Sequence, residues 1–184
     1  REGDLKKRCL AYVNLDMAAM GLDLRASASP SLKGAIARAA AHVPDPRDGT
    51  RDVLPAWLAR GRDSDDDTLP RTGVLGGGSD HVAFLARAGV ACGAISAGGA
   101  RGTSYHSNYD DLVWYRKIVG ADYLSGRMVT QVVLSLAWDF ARHAAAVLDP
   151  SAYGAAVRRH LQGQRARAEA RGLLADEAVL RTWD

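Results

Sequence analysis

Three short segments of this chain carry residues able to do chemistry, and His106 stands in the most telling of them. It lies in the polar run Thr103-Ser104-Tyr105-His106-Ser107-Asn108-Tyr109-Asp110-Asp111, just ahead of a long helical pattern. A neutral imidazole in such a loop is a suitable metal ligand, and Asp16, which closes the apolar run Tyr12-Val13-Asn14-Leu15, supplies a carboxylate of the matching type. Zinc hydrolases need donors of these two kinds that also leave a coordination position for water. The third segment, Gly76-Gly77-Gly78-Ser79-Asp80-His81, is a glycine turn opening a helix, where Ser79 or Asp80 can cap the free amides of the first turn. Two residues do not by themselves define a metal site. An aspartate after a strand also serves as a helix cap, and a loop histidine also stands simply solvated.

The elements that would position these groups can be read from the apolar spacing. Asp4 to Lys7 suits the end of an amphipathic helix, and Cys9 to Leu15 then reads as a short parallel strand buried on both faces. Ser29-Pro30-Ser31 offers a cap and a first-turn proline for a helix through Leu32, Ile36, Ala39, Ala40 and Val43, stopped by Pro44-Asp45-Pro46. A short helix is expected around Val53, Leu54, Trp57 and Leu58, followed by an exposed aspartate-rich loop from Gly61 to Pro70. After the glycine turn comes a helix through Val82, Phe84 and Leu85, ended by Gly89, and then a buried strand from Val90 to Ser96. Strand, helix and strand in alternation predict an α/β sheet with right-handed crossovers. The polar loop from Ala97 to Asp111 follows the carboxyl end of the second strand, the edge where open α/β sheets bind ligands. From Val113 to Val147 a long helical pattern runs to Pro150. The alanine- and arginine-rich tail from Ser151 to Asp184 breaks at Arg171-Gly172 and reads as helices that need a partner.

Composition narrows the function classes. With 184 residues, 47% hydrophobic and 24% charged, the chain has a globular composition and room for one core and part of a second. Its net charge of +3 comes from 24 basic against 21 acidic residues, a small surplus that does not suggest nucleic acid. Cys9 and Cys92 lack CxxC spacing, which excludes a zinc ribbon or a disulfide framework and leaves a bridge between them open. No stretch reaches the apolar length of a membrane span. His42, His143 and His160 read as surface or packing residues, and no Gly-x-Ser-x-Gly elbow is present.

In this order and at these separations, the three segments resemble the co-catalytic zinc peptidases related to glutamate carboxypeptidase II and the transferrin receptor. The resemblance runs from about Leu10 to Ala145, and the Tyr105-His106-Ser107-Asn108-Tyr109-Asp110 string is its specific part. It implies an α/β fold: residues 1–120 as the C-terminal part of the catalytic domain, within a three-layer αβα sandwich, and residues 121–184 as the start of a helical dimerisation-like domain. It also implies two zinc ions, with Asp16 a ligand to one and His106 a ligand to the other. Tyr105 would lie in the substrate pocket, its hydroxyl placed to stabilise a developing oxyanion. Gly78, Ser79 and Asp80 would line the substrate cleft, while His81, Tyr109, Asp110 and Asp111 stand nearby without a metal role.

The function so implied is a zinc-dependent exopeptidase, aminopeptidase or glutamate-carboxypeptidase-like. It would act on peptide substrates as a homodimer and face the outside of the cell, whether secreted, periplasmic or extracellular. Two departures qualify it. Glutamate-specific members carry arginines after the Ala91-Cys92-Gly93 step, where this chain has Ala94-Ile95-Ser96-Ala97, so a preference for acidic peptides is unsupported. The other ligands and the general base lie on the N-terminal side of the Asn-x-Asp strand in that family and are expected ahead of Arg1, so the isolated chain is expected to be inactive. The alternative is a non-catalytic binding and dimerisation module like the transferrin receptor. Retention of both Asp16 and His106 argues against it.

Overall fold

A computed structural model describes residues 2–173 of the chain. Within them, Ala11–Asn14 (β1), Asp23–Ala28 (β2) and Ala91–Gly98 (β3) form a sheet in the order β1-β3-β2. β1 runs parallel to β3 and β2 antiparallel to it, with Ala11 opposite Ala91 and Ala26 opposite Ile95. The helices are Glu2–Arg8 (α1), Lys33–Ala40 (α2), Val53–Ala59 (α3), Leu112–Ile118 (α4), Leu124–His143 (α5) and Ala152–Ala170 (α6). The result is a mixed α/β fold with a small sheet and several helices.

One face of the sheet carries the core. Leu24, Ala26 and Ala28 of β2 and Ile95 and Ala97 of β3 turn towards α2 and α5, and all are buried. On α5 the buried Met128, Val129, Val132 and Leu136 recur at helical spacing, so a single stripe meets the sheet. α2 contributes Ala35, Ile36, Ala39 and Ala40, and its alanines allow close approach. Ile36 then packs so tightly on β3 that a Cβ at Gly93 would stand 3.1 Å from its Cδ1. Each large side chain buried here contributes roughly 1.5–3 kcal/mol.

Several expected elements take a different form. β2 has no counterpart among them, although burial alternates along it, with Arg25 exposed and Ser27 half-buried between the core positions. The strands flanking the glycine turn are not buried on both faces: β1 is mostly half-buried, and Ala94 and Ser96 of β3 are half-exposed. The reason is that α2 and α5 cover one face only, while the segment after the glycine turn covers just the start of the other, where Tyr12 stacks on Phe84 at 4.0 Å. The helix there is a short π-helical turn, Ala83–Arg87, ended as expected at Gly89. The long pattern from Val113 breaks into α4, α5 and a 3-10 turn, because Gly120 and Tyr123 both adopt positive φ between the helices. α6 ends at the expected Arg171-Gly172 break, and none of its residues is buried. The tail beyond residue 173 lies outside the described residues.

Two capping and loop expectations are also redirected by tertiary contacts. Ser29 precedes Pro30 as expected, but its hydroxyl accepts from the Cys92 amide at 3.0 Å instead of capping the helix. The aspartate run is not wholly exposed: Asp63 is buried and pairs with the buried Lys33 at 3.0 Å, while Asp65 bonds the same ammonium at 2.8 Å and also meets Arg159 of α6. Burial alone would lower the Lys33 pKa, but the hydrogen bonds that its ammonium donates to Asp65 and Asp63 outweigh it and raise the value. The Lys33 bond in turn lowers the pKa of Asp65. Cys9 and Cys92 are free thiols, and no helix of the described residues is long and apolar enough to cross a membrane.

Removing one member of the buried pair strands the other. Lys33→Met is therefore expected to lower unfolding free energy in urea by about 3 kcal/mol, and Lys33→Met with Asp63→Leu by less. Because the Asp65 pKa is depressed, its contribution is full at neutral pH and is lost only as pH falls below about 4. Burial pushes the Cys92 thiol up to about 11. A thiol reagent at pH 8 should modify Cys9 and spare Cys92 until the chain unfolds, as mass spectrometry would read directly.

Candidate functional site

Asp16 projects from a bulge that the strand register creates. β1 pairs with β3 up to Asn14 opposite Ala94, and parallel pairing resumes at Ala19 opposite Ala97, so five steps of one strand span three of the other. The surplus is taken up at residues 15–18, and Met17 adopts φ +46° directly after Asp16. Bulges re-aim side chains at sheet ends, and this one leaves Asp16 exposed at the carboxyl edge of a parallel pair. Its far side is firmly tied. Ala97 donates to Ala18 and accepts from Met20, both at 2.7 Å, while the Tyr115 hydroxyl of α4 donates to Ala19 at 2.9 Å. Gly21 passes so close to β3 that a Cβ there would lie 2.2 Å from the Gly98 carbonyl oxygen, so no larger residue fits.

A relay of side chains fixes the Asp16 carboxylate. The Tyr12 hydroxyl donates to Asn14 Oδ1 at 3.2 Å, Asn14 Nδ2 donates to Ser79 Oγ at 3.0 Å, and the Ser79 hydroxyl donates to Asp16 Oδ2 at 2.9 Å. Tyr12 and Asn14 share a face of β1 because they are two residues apart. Asn14 is buried, and the relay satisfies its amide on both sides. Ser79 thus spends its hydroxyl on the neighbouring strand and not on the amides of its own helix, where no side-chain cap forms. A carboxylate with one oxygen held by such an outer hydrogen bond keeps the other for a ligand, the arrangement usual around bound metals.

The His106 loop leaves β3 at the same edge. It is stitched by local serine and threonine turns: Ser107 donates from its backbone and hydroxyl to the Ser104 carbonyl, and Tyr105 donates to Thr103 Oγ1 at 3.1 Å. Asp111 closes the loop by accepting from the Trp114 amide at 2.8 Å, which caps α4. His106 itself adopts φ +58° and stacks on Tyr105, ring centroids 3.7 Å apart. Positive φ at a non-glycine residue costs on the order of 1–3 kcal/mol and collects at functional sites. Four non-glycine residues show it among the described residues, and two of them are His106 and the neighbour of Asp16.

The remaining candidates are placed as follows. Gly78 and Asp80 are exposed on the glycine turn, and Tyr105 is half exposed in its loop. His81 is buried behind the turn, with Nε2 2.8 Å from the Gly76 carbonyl oxygen. Asn14 is the member of the relay that its motif alone did not single out; a polar amide inside an apolar run was the available signal. Among the described residues no group of three or more histidines, cysteines or carboxylates could hold a metal ion. A cavity of about 760 Å³ lies elsewhere, between α2, the aspartate loop and the start of α6.

Similarity to known proteins follows the same lines. No family model matches the chain. It is 40% identical over 114 residues, 61% of its length, to the probable glutamate carboxypeptidase LAMP1 of Arabidopsis thaliana, and covers 16% of that protein. It is 35% identical over 117 residues to a probable glutamate carboxypeptidase of Arthroderma benhamiae, with 60% of this chain and 15% of that one aligned. Over 97 residues it is 35% identical to a glutamate carboxypeptidase 2 homolog of Caenorhabditis briggsae, covering 47% of this chain and 12% of that protein. The chain thus shares weak to moderate homology with glutamate-carboxypeptidase-like proteins over part of its length, and spans about a sixth or less of each.

The relay makes a stability prediction independent of any reaction. Asn14→Ala should lower unfolding free energy by roughly 1–2 kcal/mol in urea titration, since it removes two hydrogen bonds between the buried Asn14 and its half-buried partners Tyr12 and Ser79.

Proposed function

We propose that this chain forms part of a zinc-dependent exopeptidase of the glutamate-carboxypeptidase type, hydrolysing terminal peptide bonds. The observation that carries the reading is the shared edge: the Asp16 bulge and the His106 loop both leave the carboxyl ends of the parallel pair β1 and β3. The similarity to carboxypeptidase-like proteins supports it.

Asp16 and His106 fit zinc by donor type, and the Ser79 bond to one Asp16 oxygen fits a ligating carboxylate. In this reading each binds one of two ions, and the other ligands and the general base come from outside these residues. Bound zinc would supply Lewis acidity towards the scissile carbonyl. Tyr105 would donate its hydroxyl to the oxyanion as it develops, in a position steadied by the His106 stack. The turn carrying Gly78, Ser79 and Asp80 would border the substrate. Residues 1–120 would belong to an αβα catalytic sandwich and 121–184 to a helical dimerisation domain, giving a homodimer that faces the outside of the cell.

Zinc analysis of the complete gene product tests this directly. Asp16→Ala and His106→Ala are each expected to lower bound zinc and to cut hydrolysis of terminal peptide bonds by at least a hundredfold. The 184-residue chain alone is expected to show no hydrolysis. Unchanged zinc content in both variants would contradict the reading.

A further inference from the structure

The glycine turn that carries Ser79 has little of its own to hold it. A Cβ at Gly76, Gly77 or Gly78 would meet nothing within 4 Å, so no packing confines this stretch, and Val74 just before it is 86% exposed. Upstream, Gly73 is pinned to β2, donating to the Ala26 carbonyl and accepting from the Ala28 amide. Downstream, Ser79 reaches Asn14 and Asp16. Between those points, among the described residues, one hydrogen bond touches the turn: His81 Nε2 to the Gly76 carbonyl at 2.8 Å. Three consecutive glycines without packing can take many backbone states, and ordering them costs conformational entropy.

His81 is built for that single contact. Only 5% of it is exposed, so its ring cannot swing away to water. A carbonyl oxygen only accepts, so the proton lies on Nε2, and Nδ1 keeps a lone pair that has no partner among the described residues. A buried acceptor left without a partner costs free energy. Phenylalanine or leucine would be buried there without that loss. What the imidazole adds over an apolar ring is the N–H directed at Gly76.

We propose that His81 is a positioning residue for the candidate metal ligand Asp16: it fastens the Gly76–Gly78 turn so that the Ser79 hydroxyl reaches the Asp16 carboxylate. The inference rests on the reading of Asp16 as a zinc ligand. His81 touches neither Asp16 nor substrate and acts through Ser79.

The test is zinc affinity of the complete gene product, measured by competition with a chromophoric chelator and free of any turnover assay. The variants are Asp16→Ala, Ser79→Ala, His81→Phe, His81→Gln and the double variant Ser79→Ala with His81→Phe, each checked for folding by circular dichroism. His81→Phe should weaken zinc binding about tenfold, as loss of outer-shell support does. The double variant should be no weaker than Ser79→Ala, because both changes break one route and do not add. His81→Gln keeps an N–H at similar reach and should stay within about threefold of the parent, which decides the matter even where the phenylalanine variant folds poorly. Additive losses overturn the proposal, as does a folded His81→Gln as weak as Ser79→Ala, or a His81→Phe that binds zinc like the parent. If Asp16→Ala leaves zinc binding unchanged, the reading of Asp16 fails and takes the proposal with it; a large loss there with an indifferent His81→Phe sinks the His81 role alone.

Discussion

Parallel pairing of β1 with β3 is the constraint on which the candidate site depends. Strands that run the same way release their following segments at the same edge, so the Asp16 bulge and the His106 loop leave the sheet together despite their distance in sequence. An antiparallel pair would have sent them to opposite ends. The pairing resumes at Ala19 and Ala97, and this makes the intervening residues bulge instead of trailing off as a flexible loop. Everything local to Asp16 follows from that: the positive φ of Met17, the exposure of the carboxylate, and the close passage of Gly21 over Gly98.

The two faces of the sheet hold this edge by different means. On the covered face, β2 and β3 sit on α2 and α5 through small and branched apolar side chains, which fix the plane of the strands. On the other face the packing is thin, and directed hydrogen bonds take over: Tyr12 to Asn14, Asn14 to Ser79, Ser79 to Asp16. Hydrophobic packing has no preferred direction, whereas a relay of this kind fixes where a carboxylate oxygen points. The Lys33 cluster plays the comparable part far from the edge, tying α2 to the aspartate loop through buried charge and the loop to α6 through the half-exposed Arg159.

Much of the fold was legible wherever one local rule acted alone. The apolar runs gave β1 and β3, Pro30 the start of the α2 region, Trp57 and its neighbours α3, and the Arg171-Gly172 break the end of α6. β2 was not, because alternation carried by alanine and serine is a weak apolar signal. Ser79 and Ser29 sit where local chemistry predicts helix caps, yet each is claimed by a partner distant in sequence, Asp16 and the Cys92 amide. Asp63 looks like one more solvated aspartate until Lys33 is brought against it. Asp16 and His106 were recognisable by type and motif. The bulge that displays one and the stacked, left-handed turn that holds the other depend on register and packing, which no single segment encodes.

The chain is similar to glutamate-carboxypeptidase-like proteins over part of its length, and the parallel β1 and β3 edge releases the segments of Asp16 and His106 together, the pairing proposed here as part of a zinc site. Anomalous diffraction at the zinc edge from crystals of the complete gene product tests that pairing most directly. The account predicts two zinc ions, one about 2.0–2.2 Å from an Asp16 carboxylate oxygen and one about 2.0–2.1 Å from a His106 ring nitrogen. Zinc bound by other residues, with Asp16 and His106 both left to solvent, would contradict it.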